Sequence, residues 1–336
     1  MSLNNLQQRI TIKALTLISQ TTLHHQNLRQ ANQQGSKNNK CKKWRWNGGK
    51  ILELLYESNN GKTVKLYDRP YRLYFVEGLG DVESDTQTNR SPFQDGVNYL
   101  DSVLEPRYIT IELRINATSE SDLTQLRSHL STVFNPKLSL GKLTYKNGDS
   151  VKEILAVSES IPYYPDGATN RGRTFQKVMI TLIAPNPYWR SPNETTKPLV
   201  AYKGNFKLPM TFPFMLGTSG SKTTLYNDGD VPSPVRIEIH GPTTNPQIFN
   251  RTTGQYIRIN RTIAQGEVMH INTESGRQRI IVIDEEGNES SAFGYLDHES
   301  DLFYLELGEN IIEHVADAGN RHAEVIVRWD SMYVGV

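Results

Sequence analysis

Cysteine is almost absent from the chain: Cys41 is the only one in 336 residues. One cysteine closes no intrachain disulfide, so the fold cannot depend on oxidation. Long apolar runs are absent too. The best N-terminal stretch, Ala14–Ile18, is short and follows Lys13. It falls far below the roughly 20 residues of a membrane helix and makes a poor signal peptide. These absences suit a protein made and assembled in a cytoplasm, without membrane insertion.

Intact catalytic motifs are also missing. Gly61-Lys62-Thr63 imitates the end of a phosphate loop, but the leading glycine of that motif would fall at Tyr56. Gly217-Thr218-Ser219-Gly220-Ser221 has Ser221 where a nucleophile turn needs its second glycine. Asp284-Glu285-Glu286-Gly287-Asn288 places its glycine too early for a helix–loop–helix calcium loop and reads as a hairpin turn. Asp228-Gly229-Asp230 reads as a turn as well. The eight histidines are scattered, and no HExxH or paired CxxC occurs. The expectation is a non-enzyme with no cofactor, no catalytic residues and no metal ligands.

Acidic residues are absent from one region. Residues 1–50 carry nine Lys or Arg and no Asp or Glu, which leaves the remainder with 28 basic and 36 acidic residues. The mildly acidic body is a poor match for nucleic acid. The basic segment suits nucleic acid or an acidic protein surface, or else a plain unstructured extension. Leu3, Leu6, Ile10, Ala14 and Leu17 fit one helical face, whereas Ile10, Ile12 and Ala14 alternate as in a strand; both readings stand.

From Ile51 onward, strands dominate. Ile51–Tyr56 and Thr63–Leu66 flank Asn60-Gly61, a hairpin signal. Tyr71–Glu77 reads as a strand. Ile109, Ile111, Leu113 and Ile115 alternate with Thr110, Glu112 and Arg114, the pattern of a half-buried strand. One helix is expected, capped by Ser119 or Ser121, built on Leu123, Leu126, Leu130 and Val133, and stopped at Asn135-Pro136. A hairpin around Asn147-Gly148 and a strand through Val178, Ile180, Leu182 and Ala184 follow. Prolines at 185, 187, 192 and 198 mark a junction. Beyond it, short strands with turns at Gly254, Gly266, Gly276 and Gly287 predict a β-sandwich. The organisation read from the sequence is a basic extension over 1–50, an α+β domain over 51–190 and a sandwich over 191–336, mainly β overall.

Between Glu77 and Tyr108 lie about thirty residues with no clear strand or helix, long for a compact domain. This loop mixes Phe93, Tyr99, Leu100 and Leu104 with charges, so it is expected to pack against something. Asp95-Gly96 is expected to turn with positive φ at Gly96. The stretch Val76–Leu113, VEGLGDVESDTQTNRSPFQDGVNYLDSVLEPRYITIEL, resembles the N-terminal half of the distal tail proteins of siphophages and related prophages. GDVPSPVRIEIHGPTTNPQIFNRTTGQYIRIN (Gly229–Asn260) and the ending VIVRWDSMYVGV resemble the C-terminal domain of that family. The resemblance spans Ile51 to Val336 and leaves out residues 1–50.

That resemblance implies a β-rich N-terminal domain, a galectin-like C-terminal sandwich and a homohexameric ring. Such a ring would continue the tail tube and hold the tail tip protein and often receptor-binding proteins, placing the chain in the virion. A closed ring needs a heterologous interface. The loop Gly78–Arg107 is the candidate, with Phe93, Asp95, Gly96, Tyr99, Leu104 and Arg107 as its contact residues. The competing expectation is a carbohydrate-binding sandwich that attaches directly to a cell surface.

Overall fold

The computed structural model describes residues 52–199, 221–319 and 323–336. The basic extension and the stretch Gly217–Gly220 lie outside the described residues. The first half contains β1 (Glu53–Glu57), β2 (Thr63–Lys65), β3 (Tyr71–Glu77), β4 (Ser84–Asn89), β5 (Asn98–Leu104) and β6 (Arg107–Asn116). Helix α1 (Glu120–Val133) follows, then β7 (Gly141–Asn147), β8 (Ser150–Ser158), β9 (Phe175–Ala184) and β10 (Trp189–Arg190). The second half begins with β11 (Thr195–Leu199), β12 (Ser221–Asn227), β13 (Ser233–His240), β14 (Thr243–Thr244), β15 (Gln247–Asn250), β16 (Tyr256–Arg258) and β17 (Thr262–Ile263). It continues through β18 (Val268–Asn272), β19 (Arg279–Ile283), β20 (Glu289–Ser291), β21 (Tyr304–Leu305), β22 (Gly308–Val315), β23 (Glu324–Trp329) and β24 (Met332–Tyr333). The expected mainly β class, with one helix in the first half, is what the described residues form.

The first sheet runs β2-β1-β7-β8-β9-β6-β3. Its spine is β6, where Ile109, Ile111, Leu113 and Ile115 are all fully buried. Each contributes on the order of 1.5–3 kcal/mol by leaving water. Helix α1 covers the inner face. It starts where Ser119 accepts from the Asp122 amide at 3.1 Å, and Asp122 accepts in return from the Thr118 amide at 2.7 Å. It buries Leu123, Leu130 and Val133, and Phe134 stacks on Tyr56 with centroids 4.6 Å apart.

The second half is built on two sheets packed on each other, with a small two-stranded sheet β14-β17 beside them. One runs β11-β23-β13-β18-β19-β20 and the other β12-β22-β15-β16. Val235, Ile237, Ile239, Ile248, Ile257, Met269, Ile271, Val325 and Trp329 fill the space between. The turn glycines expected at 254, 266, 276 and 287 all have φ between +77° and +85°. Asp284 accepts from the amides of Glu286 and Asn288 at 3.0 and 2.8 Å, which closes the β19–β20 hairpin.

The C-terminal strand departs from this division. β24 pairs with β10 of the first sheet, Trp189 opposite Tyr333 and Arg190 opposite Met332. The last described strand thus pairs with the sheet that the first described strand belongs to.

His314 on β22 is fully buried, and neither ring nitrogen has a hydrogen-bond partner among the described residues. Burial pushes its pKa down to about 4 from 6.5. The folded state therefore resists protonation while the unfolded chain accepts a proton near pH 6.5. The stability from a neutral His314 is complete above about pH 6.5 and is lost as pH falls toward 4. Urea unfolding at about pH 7 and about pH 4.5 should show His314→Leu losing roughly 2–3 kcal/mol less on acidification than the parent. Equal losses in the two proteins would mean that His314 does not titrate in this way.

Candidate functional site

The loop expected between Glu77 and Tyr108 is in fact a β-hairpin. β4 and β5 pair from Ser84↔Leu104 to Asn89↔Asn98, with a bulge after Gln87. The polar run Ser84–Asn89 lacks apolar alternation, which is why the strand escapes a pattern reading. The two strands form a sheet of their own with no third strand among the described residues. Every residue of β4 is exposed, and on β5 only Leu104 is half-buried. An isolated two-stranded ribbon is marginal in water and leaves both edges unpaired.

The tip is held by its own hydrogen bonds. Arg90 donates to the Gln94 carbonyl at 2.8 Å, the Ser91 amide to the Gln94 side chain at 3.1 Å, and Gln94 to Asn98 at 3.0 Å. This frame presents Phe93 entirely in solvent, in the left-handed region at φ +65°. That combination is costly for a bulky residue and marks functional sites. Gly96 turns with φ +76° beside exposed Asp95, as expected. Val97, Tyr99, Leu100 and Val103 are exposed along the ribbon.

Of the six candidate residues, Phe93, Asp95, Gly96 and Tyr99 thus project from the hairpin, and Leu104 sits at its base. Arg107 requires a correction. It is 1% exposed and cannot reach a neighbouring molecule. Its guanidinium donates to the carbonyls of Pro187, Gly78, Leu79 and Asp81 at 2.8, 3.0, 3.2 and 2.7 Å, and to that of Val334. Sequence gives a charged residue after a proline no reason to be inside. The acceptors are backbone carbonyls that no side-chain pattern reveals. Burial lowers its pKa, with the Asp81 charge opposing. Bonds to a charged donor contribute on the order of 1.5–3 kcal/mol each, enough together to offset desolvation of the guanidinium.

A second surface was missed. On the outer side of the first sheet, Phe75 lies opposite Glu112, Glu112 opposite Met179, and Met179 opposite Tyr163. Phe75, Met179, Tyr163 and the nearby Tyr74 and Tyr108 are all between 43% and 63% exposed. The signal was available. Tyr108 occupies the wet register of β6, and Tyr74-Phe75 breaks the alternation of β3 at a bulge.

The sandwich carries a trough of about 350 Å³ over β13, β18, β19 and β23. Its charges are committed to each other: Arg236 to Glu194 and Asp330 at 2.7 and 2.8 Å, and Arg328 to Glu238 at 2.9 Å. No Phe, Tyr or Trp lines it.

Two family models match the chain in order. The phage tail protein RIFT-related domain covers residues 59–184, and the C-terminal domain of the siphovirus-type tail component covers 228–333. The chain belongs to the distal tail protein family. Among solved structures it resembles the distal tail protein of phage SPP1, described as a paradigm of the hub adsorption apparatus in phages infecting Gram-positive bacteria. The TM-score is 0.61 at 14% identity, over 84% of this chain and 99% of that one. It also resembles the phage p2 baseplate in its activated conformation with strontium, at TM-score 0.52 and 12% identity over 85% and 100% of the two chains. No curated protein matches. This distal tail protein is thus a structural component of a phage tail, and its distinctive surface is the hairpin.

The hairpin leaves the sheet at Gly78, with φ +86°, where a Cβ would stand 1.9 Å from the Tyr108 carbonyl oxygen. At the tip, Gly96 has φ +76° but open space around it. Gly78→Ala should therefore destabilise by about 3 kcal/mol or more, and Gly96→Ala by about 1 kcal/mol, in chemical denaturation. Equal costs would contradict the close approach at the hairpin root.

Proposed function

We propose that this distal tail protein forms a closed ring that joins the tail tube to the tail tip and supports host adsorption. In this reading the β4–β5 hairpin of each copy lies on the β3–β6–β9 outer face of the next. One observation carries it: an unsupported ribbon exposing Phe93, Val97, Tyr99 and Leu100, in the same chain as a sheet face on which Phe75, Met179 and Tyr163 stand exposed beside Glu112. The two surfaces are different patches, so their contact is heterologous and closes into a ring when the rotation allows. Six copies, the tube protein and the tip protein as partners follow from the family resemblance. The virion is the expected location, after assembly in the bacterial host.

The sugar-binding alternative is weaker. The trough on the sandwich pairs its arginines with carboxylates of the same face and offers no aromatic ring on which a sugar could stack. The expected biochemistry is that of a scaffold, without turnover.

Truncating apolar anchors at an interface centre costs roughly 1–3 kcal/mol each, and a ring repeats the loss at every contact. Phe93→Ala with Tyr99→Ala should shift native mass spectra from rings to single subunits at concentrations where the parent is assembled. Circular dichroism should stay unchanged, since both side chains are exposed in the subunit. Rings of parental stability would remove the hairpin from the interface.

A further inference from the structure

The hairpin needs a fixed direction if it is to meet a neighbour, yet among the described residues β4 and β5 pair with no other strand and join the body through two legs. The incoming leg is Gly78–Asp81. The outgoing leg ends at Pro106 and continues into β6 at Arg107. Backbone bonding between the legs begins with the Glu105 amide on the Glu83 carbonyl at 2.9 Å. Below it the legs are joined by Arg107, the first residue of β6, which donates to three carbonyls of the incoming leg. Trp189 adds a bond to the Leu79 carbonyl at 2.9 Å.

The same guanidinium also holds the end of the chain through the Val334 carbonyl. Lys152 donates to the Gly335 carbonyl at 2.7 Å and lies 4.0 Å from the centre of the Tyr333 ring. Gly335 packs against Gly80, where a Cβ would be 3.2 Å from the Gly80 carbonyl oxygen. On its other side the tail is bonded to the sandwich. The Asp230 amide donates to the Met332 carbonyl at 2.8 Å, the Val334 amide to the Asp230 carboxylate at 3.1 Å, and Ser331 to Asp228. Gly229 leaves room for this, since a Cβ there would stand 2.4 Å from the Met332 carbonyl oxygen.

We propose that Ser331–Gly335 is a latch, with Arg107 as its positioning residue, that fixes the hairpin root against the sandwich and so sets the direction in which the hairpin is offered to the next copy. The proposal rests on the ring reading for its consequence but not for its mechanism. Arg107 touches no neighbour. It acts through the backbone of Gly78–Asp81 and of Val334. The turn Asp228-Gly229-Asp230, which at sequence level is an ordinary turn, is the sandwich's half of the latch.

The test uses the full chain with Val334–Val336 deleted, and separately with Arg107→Lys, which keeps the charge but cannot reach all these carbonyls. Hydrogen exchange is read by peptide mass spectrometry, and ring formation by native mass spectrometry. The expected result is exchange faster by on the order of tenfold across Gly78–Leu104, with β13, β18 and β23 unchanged, and rings that need a correspondingly higher concentration. Faster exchange confined to the last residues, or spread evenly over both halves, would overturn the latch. A parent protein that forms no ring would overturn the ring reading alone, and the exchange pattern would still decide the latch.

Discussion

The buried guanidinium of Arg107 is the interaction on which the remaining architecture turns. A cation taken out of water is tolerated only where its donors are fully used. Here they are used on carbonyls from three places far apart in sequence: the hairpin root, the segment after β9 and the chain terminus. Removing the side chain would leave the buried carbonyls of Pro187 and Gly78 without this donor, away from water. The hydrophobic clusters explain why each half folds. They explain less of why the halves meet where they do, since the buried residues of one end at Trp189 and those of the other run from Leu199 to Trp329, with Tyr333 alone of the last residues packed on the first. The junction combines buried Met332 and half-buried Tyr333 with polar contacts: Arg107, Lys152, the Arg190–Glu274 ion pair and the Asp228–Asp230 turn.

This division of labour suits a scaffold. The apolar cores give two bodies with well-paired antiparallel ladders, and the polar seam gives them one relative placement. What the body withholds from its cores is placed outside: Phe93 and Tyr99 on the ribbon, and Phe75, Tyr108 and Tyr163 on the sheet. The ion-paired face of the sandwich is the opposite case, with charges neutralised within the subunit and little left over for a ligand.

Much of this was legible in the sequence, for physical reasons. Where one face is buried and the other wet, period-2 alternation is legible, as on β6, where Ile109, Ile111, Leu113 and Ile115 alternate with Thr110, Glu112 and Arg114. Ser119 and Asn135-Pro136 delimit α1 because capping is local chemistry. The reading failed where the determinant was not local. β4 is polar throughout because neither of its faces is buried in the subunit, so no alternation could announce it. Arg107 was placed among the contact residues of the loop Gly78–Arg107, whereas its acceptors are backbone atoms brought together only by the tertiary fold. The short strands β10 and β24 are set by the pairing of distant segments, of which Trp189 and Met332 carry no mark.

The central claim is that the hairpin, held by its root, is what one subunit offers to the next. Single-particle imaging of the purified protein at a resolution that traces strands tests it most directly. The account predicts a closed ring in which each β4–β5 ribbon lies across the β3–β6–β9 face of its neighbour, covering Phe75, Met179 and Tyr163. Rings closed through other surfaces, with the ribbons free in solvent, would contradict it.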